Sequence, residues 1–133
     1  MPAEIRAFLE SYRASFNALD GDAVARLYAV PSGIASNTGY THWPALDPIR
    51  QNMMALCRLY QENGFVSAQF ELMTFISQGE DFGVADLAWQ IQWREKEPSR
   101  FGTTYNLMKT VDGWRVLLCT AYSEEKLNAQ PRT

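Results

Sequence analysis

The last third of the chain, Phe82 to Tyr122, most restricts the possible fold because it alternates apolar and polar residues over long runs. Between Val84 and Arg94 the large apolar residues are Leu87, Trp89, Ile91 and Trp93. The positions between them carry Asp86, Gln90, Gln92 and Arg94. A period of two residues indicates a strand of a sheet that has one buried face and one polar face.

Two turn signals divide this region into three strands. Glu97-Pro98-Ser99 interrupts the first run, and Phe101–Thr110 forms the returning strand. Asp112-Gly113 then tolerates the positive φ of a tight hairpin turn, so Trp114–Tyr122 is predicted as the closing strand. The chain therefore ends in an antiparallel meander.

Another alternating run precedes the meander. Phe65–Ser77 is predicted as a strand, and Gln78–Asp81 as the turn that follows it. The apolar side of this strand is predicted to hold Val66, Ala68, Phe70, Leu72 and Ile76. Four long strands are thus expected in series.

The N-terminal part has helical periodicity instead. Residues 3–19 repeat apolar side chains at intervals of three and four, at Ile5, Phe8, Leu9, Tyr12, Phe16 and Leu19. A second, short helix is predicted to have Val24, Leu27 and Tyr28 on its apolar side. Between the two helices, Gly21 suits a left-handed C-terminal cap, and Asp20 or Asp22 can cap the second helix.

A third helix is predicted to open at Asp47-Pro48, with the aspartate as N-cap and the proline at the first helical position. Its buried stripe is Ile49, Met53, Leu56, Cys57 and Tyr60. Between the second and third helices, Ile34–Tyr40 is predicted as a short strand and Thr41–Pro44 as a loop.

Helices followed by long antiparallel strands indicate an α+β fold, in which a curved, cone-shaped antiparallel sheet wraps around the N-terminal helices. With 133 residues the chain is predicted to form one domain, with a core of about residues 3–122 and a polar tail at 123–133. The mouth of such a cone is a natural small-molecule pocket.

Composition narrows the function. The net charge is −3 and no basic run occurs, which argues against nucleic acid and membrane surfaces as partners. No signal peptide or membrane-spanning segment is recognised, and Cys57 and Cys119 are expected to be buried thiols, so a cytoplasmic protein is expected. One histidine and two distant cysteines offer no metal-site spacing, and neither a metal nor a cofactor is expected.

Two passages resemble the nuclear transport factor 2-like superfamily, which includes ketosteroid isomerases, scytalone dehydratases and SnoaL-like polyketide cyclases. One runs from Tyr12 to Asp22 and continues at Leu27-Tyr28. The other comprises Thr104-Tyr105 to Lys109 and then Asp112 to Val116. The resemblance covers about residues 3–122 and implies the cone-shaped, cystatin-like roll.

The resemblance to ketosteroid isomerases implies roles for individual residues. It places Tyr12 at the oxyanion tyrosine and Tyr105 near the position of a protonated aspartate, whereas Ser36 stands near the position of the general base. A serine hydroxyl without a partner base cannot take a carbon-bound proton near neutral pH. The isomerase aspartate base is therefore expected to be missing.

Other candidate bases have simpler explanations alongside the catalytic one. Histidine side chains suit acid–base chemistry near neutral pH. His42 lies in the predicted loop before the third helix, where it is either a catalytic base or a solvent-facing residue. Asp47 is explained by helix capping. Asp86 lies on the polar side of its strand and belongs to the outside of the cone if that side faces away from the helices.

Two functions follow as expectations. The first is a small-molecule-binding domain whose apolar pocket is lined by Tyr12, Ser36, Trp89 and Tyr105. The alternative is a cofactor-independent isomerase, dehydratase or cyclase that acts on a small apolar carbonyl compound, with Tyr12 as donor and His42 as base. Large aromatic residues also fill protein cores, which is the simpler explanation for most of the aromatic residues in this chain.

A homodimer is also expected, formed through the face of the sheet away from the helices. Such a face, broad and with few charges, suits a self-complementary interface. The residues assigned to it are Gln69, Glu71, Gln90, Gln92, Arg94, Thr104 and Asn106, extended by Leu117, Cys119 and Ala121.

Overall fold

Helices occupy the first half of the chain and long strands the second half in the computed structural model, which describes residues 1–123. The helices are α1 (Ala3–Asn17), α2 (Gly21–Ala25) and α3 (Leu46–Glu62). The strands are β1 (Tyr28–Ser36), β2 (Gly39–Trp43), β3 (Phe65–Gln78), β4 (Phe82–Trp93), β5 (Ser99–Thr110) and β6 (Gly113–Tyr122). All but the first residue of the predicted polar tail lies outside the described residues.

The six strands form one open, curved sheet in the order β2-β1-β6-β5-β4-β3. The predicted α+β class and the curved sheet over N-terminal helices are confirmed. The sheet is mixed, however, because β1 runs parallel to β6 while the other neighbouring strands are antiparallel. This parallel pair joins the beginning of the strand sequence to its end, so no local pattern could have indicated it.

The region between α2 and α3 is a β-hairpin, and its prediction as one strand and a loop is wrong. β1 and β2 pair from Ser36 opposite Gly39 to Ser32 opposite Trp43. Gly39 has a φ of 122° at the turn, which suits glycine. Four of the five β2 residues are exposed, so this edge strand has no apolar alternation to recognise.

The junction between α1 and α2 also differs from its prediction. α1 ends at Asn17, and Leu19 rather than Gly21 adopts the left-handed conformation, with a φ of 53°. Asp20 caps α2, because its carboxylate accepts a hydrogen bond from the Ala23 N–H at 3.0 Å. The predicted helical position of Tyr28 is wrong, since this residue begins β1.

α3 begins one residue before the predicted cap. Ala45 is the N-cap and makes no side-chain hydrogen bond there, so the prediction of Asp47 as N-cap is wrong. The Asp47 carboxylate instead accepts hydrogen bonds from Arg50 Nη1 and Gln51 Nε2, each at 3.0 Å.

Alternation predicts the inward residues of β4 correctly but fails for part of β3. In β4 the predicted inward residues are all buried: Leu87, Trp89, Ile91 and Trp93. In β3 two register shifts change the parity, and Val66 and Ile76 are 54% and 52% exposed, contrary to the prediction. Phe75 takes the inward position instead, opposite the fully buried Ala85. A bulge inserts one residue into a strand and therefore exchanges its faces.

Candidate functional site

A cavity of about 80 Å³ lies between α1, α3 and the inner face of the sheet. The side chains that line it are mainly apolar and aromatic: Tyr12, Phe16, Tyr28, Ile34, Met53, Leu56, Tyr60, Ala68, Trp89, Ile91, Phe101, Thr103, Tyr105, Cys119 and Ala121. Because none of these residues is charged, the described lining suits a neutral, mostly apolar molecule.

Strand register builds the sheet wall of this cavity in successive layers. Cys119 pairs with Tyr105, and Ala121 pairs with Thr103. The next inward residue of β5 is Phe101, which pairs with Trp89 of β4. Side chains two residues apart lie on the same face of a sheet. The inward residues of β4 and β5 therefore form one continuous wall of the cavity.

Three of the tyrosines that line the cavity lie close together, and we refer to Tyr12, Tyr28 and Tyr105 as the hydroxyl cluster. The hydroxyls of Tyr12 and Tyr28 form a hydrogen bond of 2.7 Å. The ring centroids of Tyr12 and Tyr105 lie 5.1 Å apart, and the Tyr105 hydroxyl interacts with both Tyr12 and Thr103. α1, β1 and β5 thus each contribute one phenol.

A second hydrogen bond fixes an aromatic wall next to this cluster. Trp89 Nε1 donates to Thr103 Oγ1 at 2.8 Å. The Trp89 ring packs against Phe70, with centroids 5.3 Å apart, and stacks on Phe101 at 6.5 Å. Because a buried indole N–H needs a partner, Thr103 determines the orientation of this ring.

The hydroxyl cluster is uncharged at neutral pH. Burial raises the pKa of each of Tyr12, Tyr28 and Tyr105 well above the ordinary value for a phenol. The three phenols therefore keep their protons and can donate or accept hydrogen bonds. They can hold a carbonyl or hydroxyl oxygen, but they cannot take a carbon-bound proton as neutral groups.

The residues predicted for the site fall into two groups. Tyr12, Trp89 and Tyr105 line the same cavity. Ser36 and His42 are not among the lining residues. His42 is exposed on β2, and the Ser36 hydroxyl lies 2.8 Å from that of Thr38 beyond the end of β1.

Sequence reasoning missed the lining residues Tyr28, Thr103, Cys119 and Ala121. Tyr28 is predicted on the second helix because its position after the Asp22–Ala25 segment gives no signal of a strand, whereas it begins β1 in the structure. Thr103 lies on the same face as Tyr105 in an alternating strand, which is a signal that was available. The assignment of Cys119 and Ala121 to the outer face is wrong, because a register shift opposite Asn106 and Leu107 reverses the parity of β6.

Asp86 lies on the opposite face of the sheet from the cavity. Its carboxylate accepts hydrogen bonds from Thr104 Oγ1 at 3.0 Å and from the Tyr122 hydroxyl at 2.5 Å. Among residues 1–123, therefore, neither this carboxylate nor any other lines the cavity.

Within residues 1–123, no three histidine, cysteine, aspartate or glutamate side chains are grouped so that they could hold a metal ion. None of the helices in the same range is long and apolar enough to cross a membrane.

Solved structures with a similar fold have low sequence identity to this chain. An NTF2-like protein of unknown function from Shewanella oneidensis is 18% identical, with a TM-score of 0.73 and coverage of 90% of this chain and 97% of that chain. A ketosteroid isomerase-like protein from Erwinia carotovora atroseptica is 15% identical, with a TM-score of 0.71 and coverage of 90% and 93%.

A third similar structure is a putative calcium/calmodulin-dependent protein kinase type II association domain from Thiobacillus denitrificans. It is 15% identical, with a TM-score of 0.73 and coverage of 91% of this chain and 94% of that chain. These likenesses show a shared fold, which by itself hosts different functions. The sequence matches no curated protein.

The match to a family model is more specific than these structural likenesses. The model described as NTF2-like protein (DUF6841) matches residues 3–124. The matched range includes every element from α1 to β6 and every residue of the cavity lining. The chain belongs to this family of NTF2-like proteins.

Proposed function

We propose that the protein binds a small, neutral organic molecule in the cavity and that the hydroxyl cluster forms hydrogen bonds with an oxygen atom of this molecule. The supporting observation is the association of three buried, protonated phenols within a lining that is mainly apolar and aromatic. An apolar pocket with a few convergent polar groups is typical of small-molecule sites. A ketone or alcohol has the required chemistry, because its oxygen accepts hydrogen bonds and its body is apolar.

The residues that line the cavity suit the binding of a ligand better than they suit catalysis. A reaction through an enolate needs a base as well as an oxyanion donor, and the lining contributed by residues 1–123 contains neither a carboxylate nor an imidazole. The alternative is nevertheless specific: a cofactor-independent isomerase, dehydratase or cyclase for a small apolar carbonyl compound, in which Tyr12 donates a hydrogen bond to the developing oxyanion. Tyr12 supports this alternative because it lies at the centre of the hydroxyl cluster.

The first test is a thermal-shift screen against small ketones and alcohols, followed by calorimetric titration of the hits. A ligand at one hundred times its Kd stabilises the fold by about 2.7 kcal/mol, which raises Tm by several degrees. Tyr12→Phe should weaken binding about tenfold, the equivalent of one hydrogen bond. Tyr40→Phe is the matched control, since Tyr40 is 62% exposed and does not line the cavity.

The same variants separate a binder from an enzyme. If the hits are also converted, Tyr12→Phe should abolish most turnover while its circular dichroism spectrum stays unchanged. His42→Ala tests the proposed base: loss of turnover in this variant would support catalysis despite the exposed position of His42. Unchanged affinity in Tyr12→Phe and equal shifts for every compound would contradict binding at the hydroxyl cluster.

We also propose a homodimer that forms through the outer face of the sheet. Support comes from the cross-strand pairs of uncharged polar residues there, such as Gln69 opposite Gln90, and from the exposed apolar side chain of Ile76. Light scattering at micromolar concentration should give twice the monomer mass. Ile76→Lys should shift the mass toward the monomer, whereas a monomeric wild-type protein would contradict the proposal.

A cytoplasmic location is a further part of the proposal. Its support is that Cys57 and Cys119 are both buried and are not joined by a disulfide, as is usual in a reducing compartment. Fractionation of the source cells would test it, and recovery of the protein outside the cytoplasm would contradict it.

A further inference from the structure

The cavity is small for the ligands that pockets of this kind usually hold. Pockets for drug-sized molecules have volumes of about 300–1,000 Å³, and an engineered apolar cavity of about 150 Å³ binds benzene. The cavity here measures about 80 Å³. A ring compound therefore fits only if a lining side chain moves or is shortened.

The lining residues differ in how far they are exposed to solvent. Three of them are partly exposed, and we refer to Ile34, Leu56 and Phe101 as the rim. Every other lining residue is buried, including the hydroxyl cluster, whose members are 2–6% exposed. A ligand that enters through the rim therefore meets apolar side chains first and hydroxyl groups last, so its oxygen atom must lead.

The three rim residues are not equally fixed. Ile34 pairs with Cys119, and Phe101 pairs with Trp89, so strand pairing holds both in the sheet. Leu56 projects from α3, where Met53 and Tyr60 lie on the same helical face and also line the cavity. Leu56 is thus the rim residue that the helical layer contributes.

On the basis of the proposed function, we infer that the ligand is a compact, uncharged ketone or alcohol smaller than benzene, and that Leu56 sets this size limit. Each carbon atom beyond the available space should reduce affinity about tenfold, since one methylene in an apolar pocket changes binding by a factor of roughly 10–200. Shortening Leu56 should remove this penalty, and enlarging Leu56 should increase it.

The experiment is an NMR titration of the full chain with a ketone series: propanone, butanone, cyclopentanone, cyclohexanone and cyclooctanone. For the wild type, affinity should fall at least about tenfold from butanone to cyclohexanone. Leu56→Ala should bind cyclohexanone about tenfold more tightly than the wild type does, and Leu56→Phe should bind even butanone more weakly. The opposite directions of the two variants distinguish a size effect from general damage to the fold.

Leu59→Ala is the matched control. Leu59 lies on the same helix and packs against the core, but it does not line the cavity, so its variant should keep the wild-type size profile. The inference is overturned if Leu56→Ala keeps the wild-type size profile, or if the wild type binds cyclooctanone as tightly as butanone. Failure of all the proteins to bind any ketone would instead overturn the proposed function, together with the size limit derived from it.

Discussion

The side-chain amide of Asn17 pairs with the backbone of Ala68 in the way that a neighbouring strand would. Asn17 Oδ1 accepts a hydrogen bond from the Ala68 N–H at 2.9 Å, and Asn17 Nδ2 donates to the Ala68 carbonyl at 3.0 Å. Ala68 lies on the edge strand β3 and lines the cavity. This pair joins the end of α1 to the sheet and satisfies backbone groups that no adjacent strand reaches.

Asn17→Ala should therefore lower the free energy of unfolding by about 1–3 kcal/mol, because it leaves the backbone groups of a residue that is 1% exposed without partners. Chemical denaturation measures this change. Asn52→Ala is the control, since Asn52 is exposed on α3 and its side-chain nitrogen contacts the Met53 sulfur at 3.8 Å. Equal stability of the two variants would show that the Asn17 pair contributes nothing.

Gly21 lies against the backbone of α3, and any larger residue should disrupt this contact. A Cβ atom at Gly21 would approach backbone atoms of Met53 and Met54 at 2.6–2.8 Å. Since a backbone cannot retract as a side chain can, Gly21→Ala should lower the free energy of unfolding by about 1–3 kcal/mol, as overpacking does.

Gly102→Ala provides the comparison for this variant. A Cβ atom there would meet the ring of Tyr122, which is 41% exposed and can rotate away. Denaturation midpoints should therefore fall further for Gly21→Ala than for Gly102→Ala, and the reverse order would contradict the close contact between α2 and α3.

Alkaline pH should destabilise the protein through the hydroxyl cluster. Burial holds the pKa values of Tyr12, Tyr28 and Tyr105 well above those of free phenols, so the native protein retains protons that the unfolded chain releases. This contribution to stability is complete below about pH 10, the ordinary pKa of a phenol, and is lost as the pH rises beyond it.

Ultraviolet titration of the phenolate band measures this effect. The three tyrosines of the hydroxyl cluster should ionise together with unfolding, in one steep step that circular dichroism also follows. In Tyr12→Phe the step should involve one phenol fewer. If all the tyrosines ionised gradually while the native circular dichroism spectrum was retained, the prediction would be wrong.

Cys57 should react slowly with alkylating reagents in the native protein. Burial raises its pKa to about 11, so the thiolate that reacts is scarce near neutral pH. Iodoacetamide at pH 8 should modify Cys57 far more slowly in buffer than in denaturant, with peptide mass spectrometry to locate the adduct. Equal rates in the two conditions would indicate that the thiol is accessible.

Local sequence patterns predicted the cavity-lining residues of the sheet correctly where the strands pair without a register shift. Alternation predicts Trp89 on the apolar face of β4, and the resemblance to ketosteroid isomerases places Tyr105 at the pocket. Both residues line the cavity, and β4 and β5 pair there without a register shift. Tyr12 was expected there because helical spacing places it in the buried stripe of α1. The resemblance places Ser36 near the pocket, and the predicted loop before the third helix places His42 there. The β1–β2 hairpin puts neither residue among those that line the cavity.

The sequence by itself determined the helical stripes of α1 and α3, the alternation of β4 and the hairpin at Asp112-Gly113, because each depends on interactions between residues close together in the chain. Only the tertiary structure decided on which face of β6 Cys119 lies, because a shift of one residue in the pairing of β5 with β6 reverses the face. It alone also brought Tyr28 to Tyr12, through the parallel pairing of β1 with β6, which lie at opposite ends of the strand sequence. Long-range pairing depends on the packing of the whole chain, and no local pattern records it.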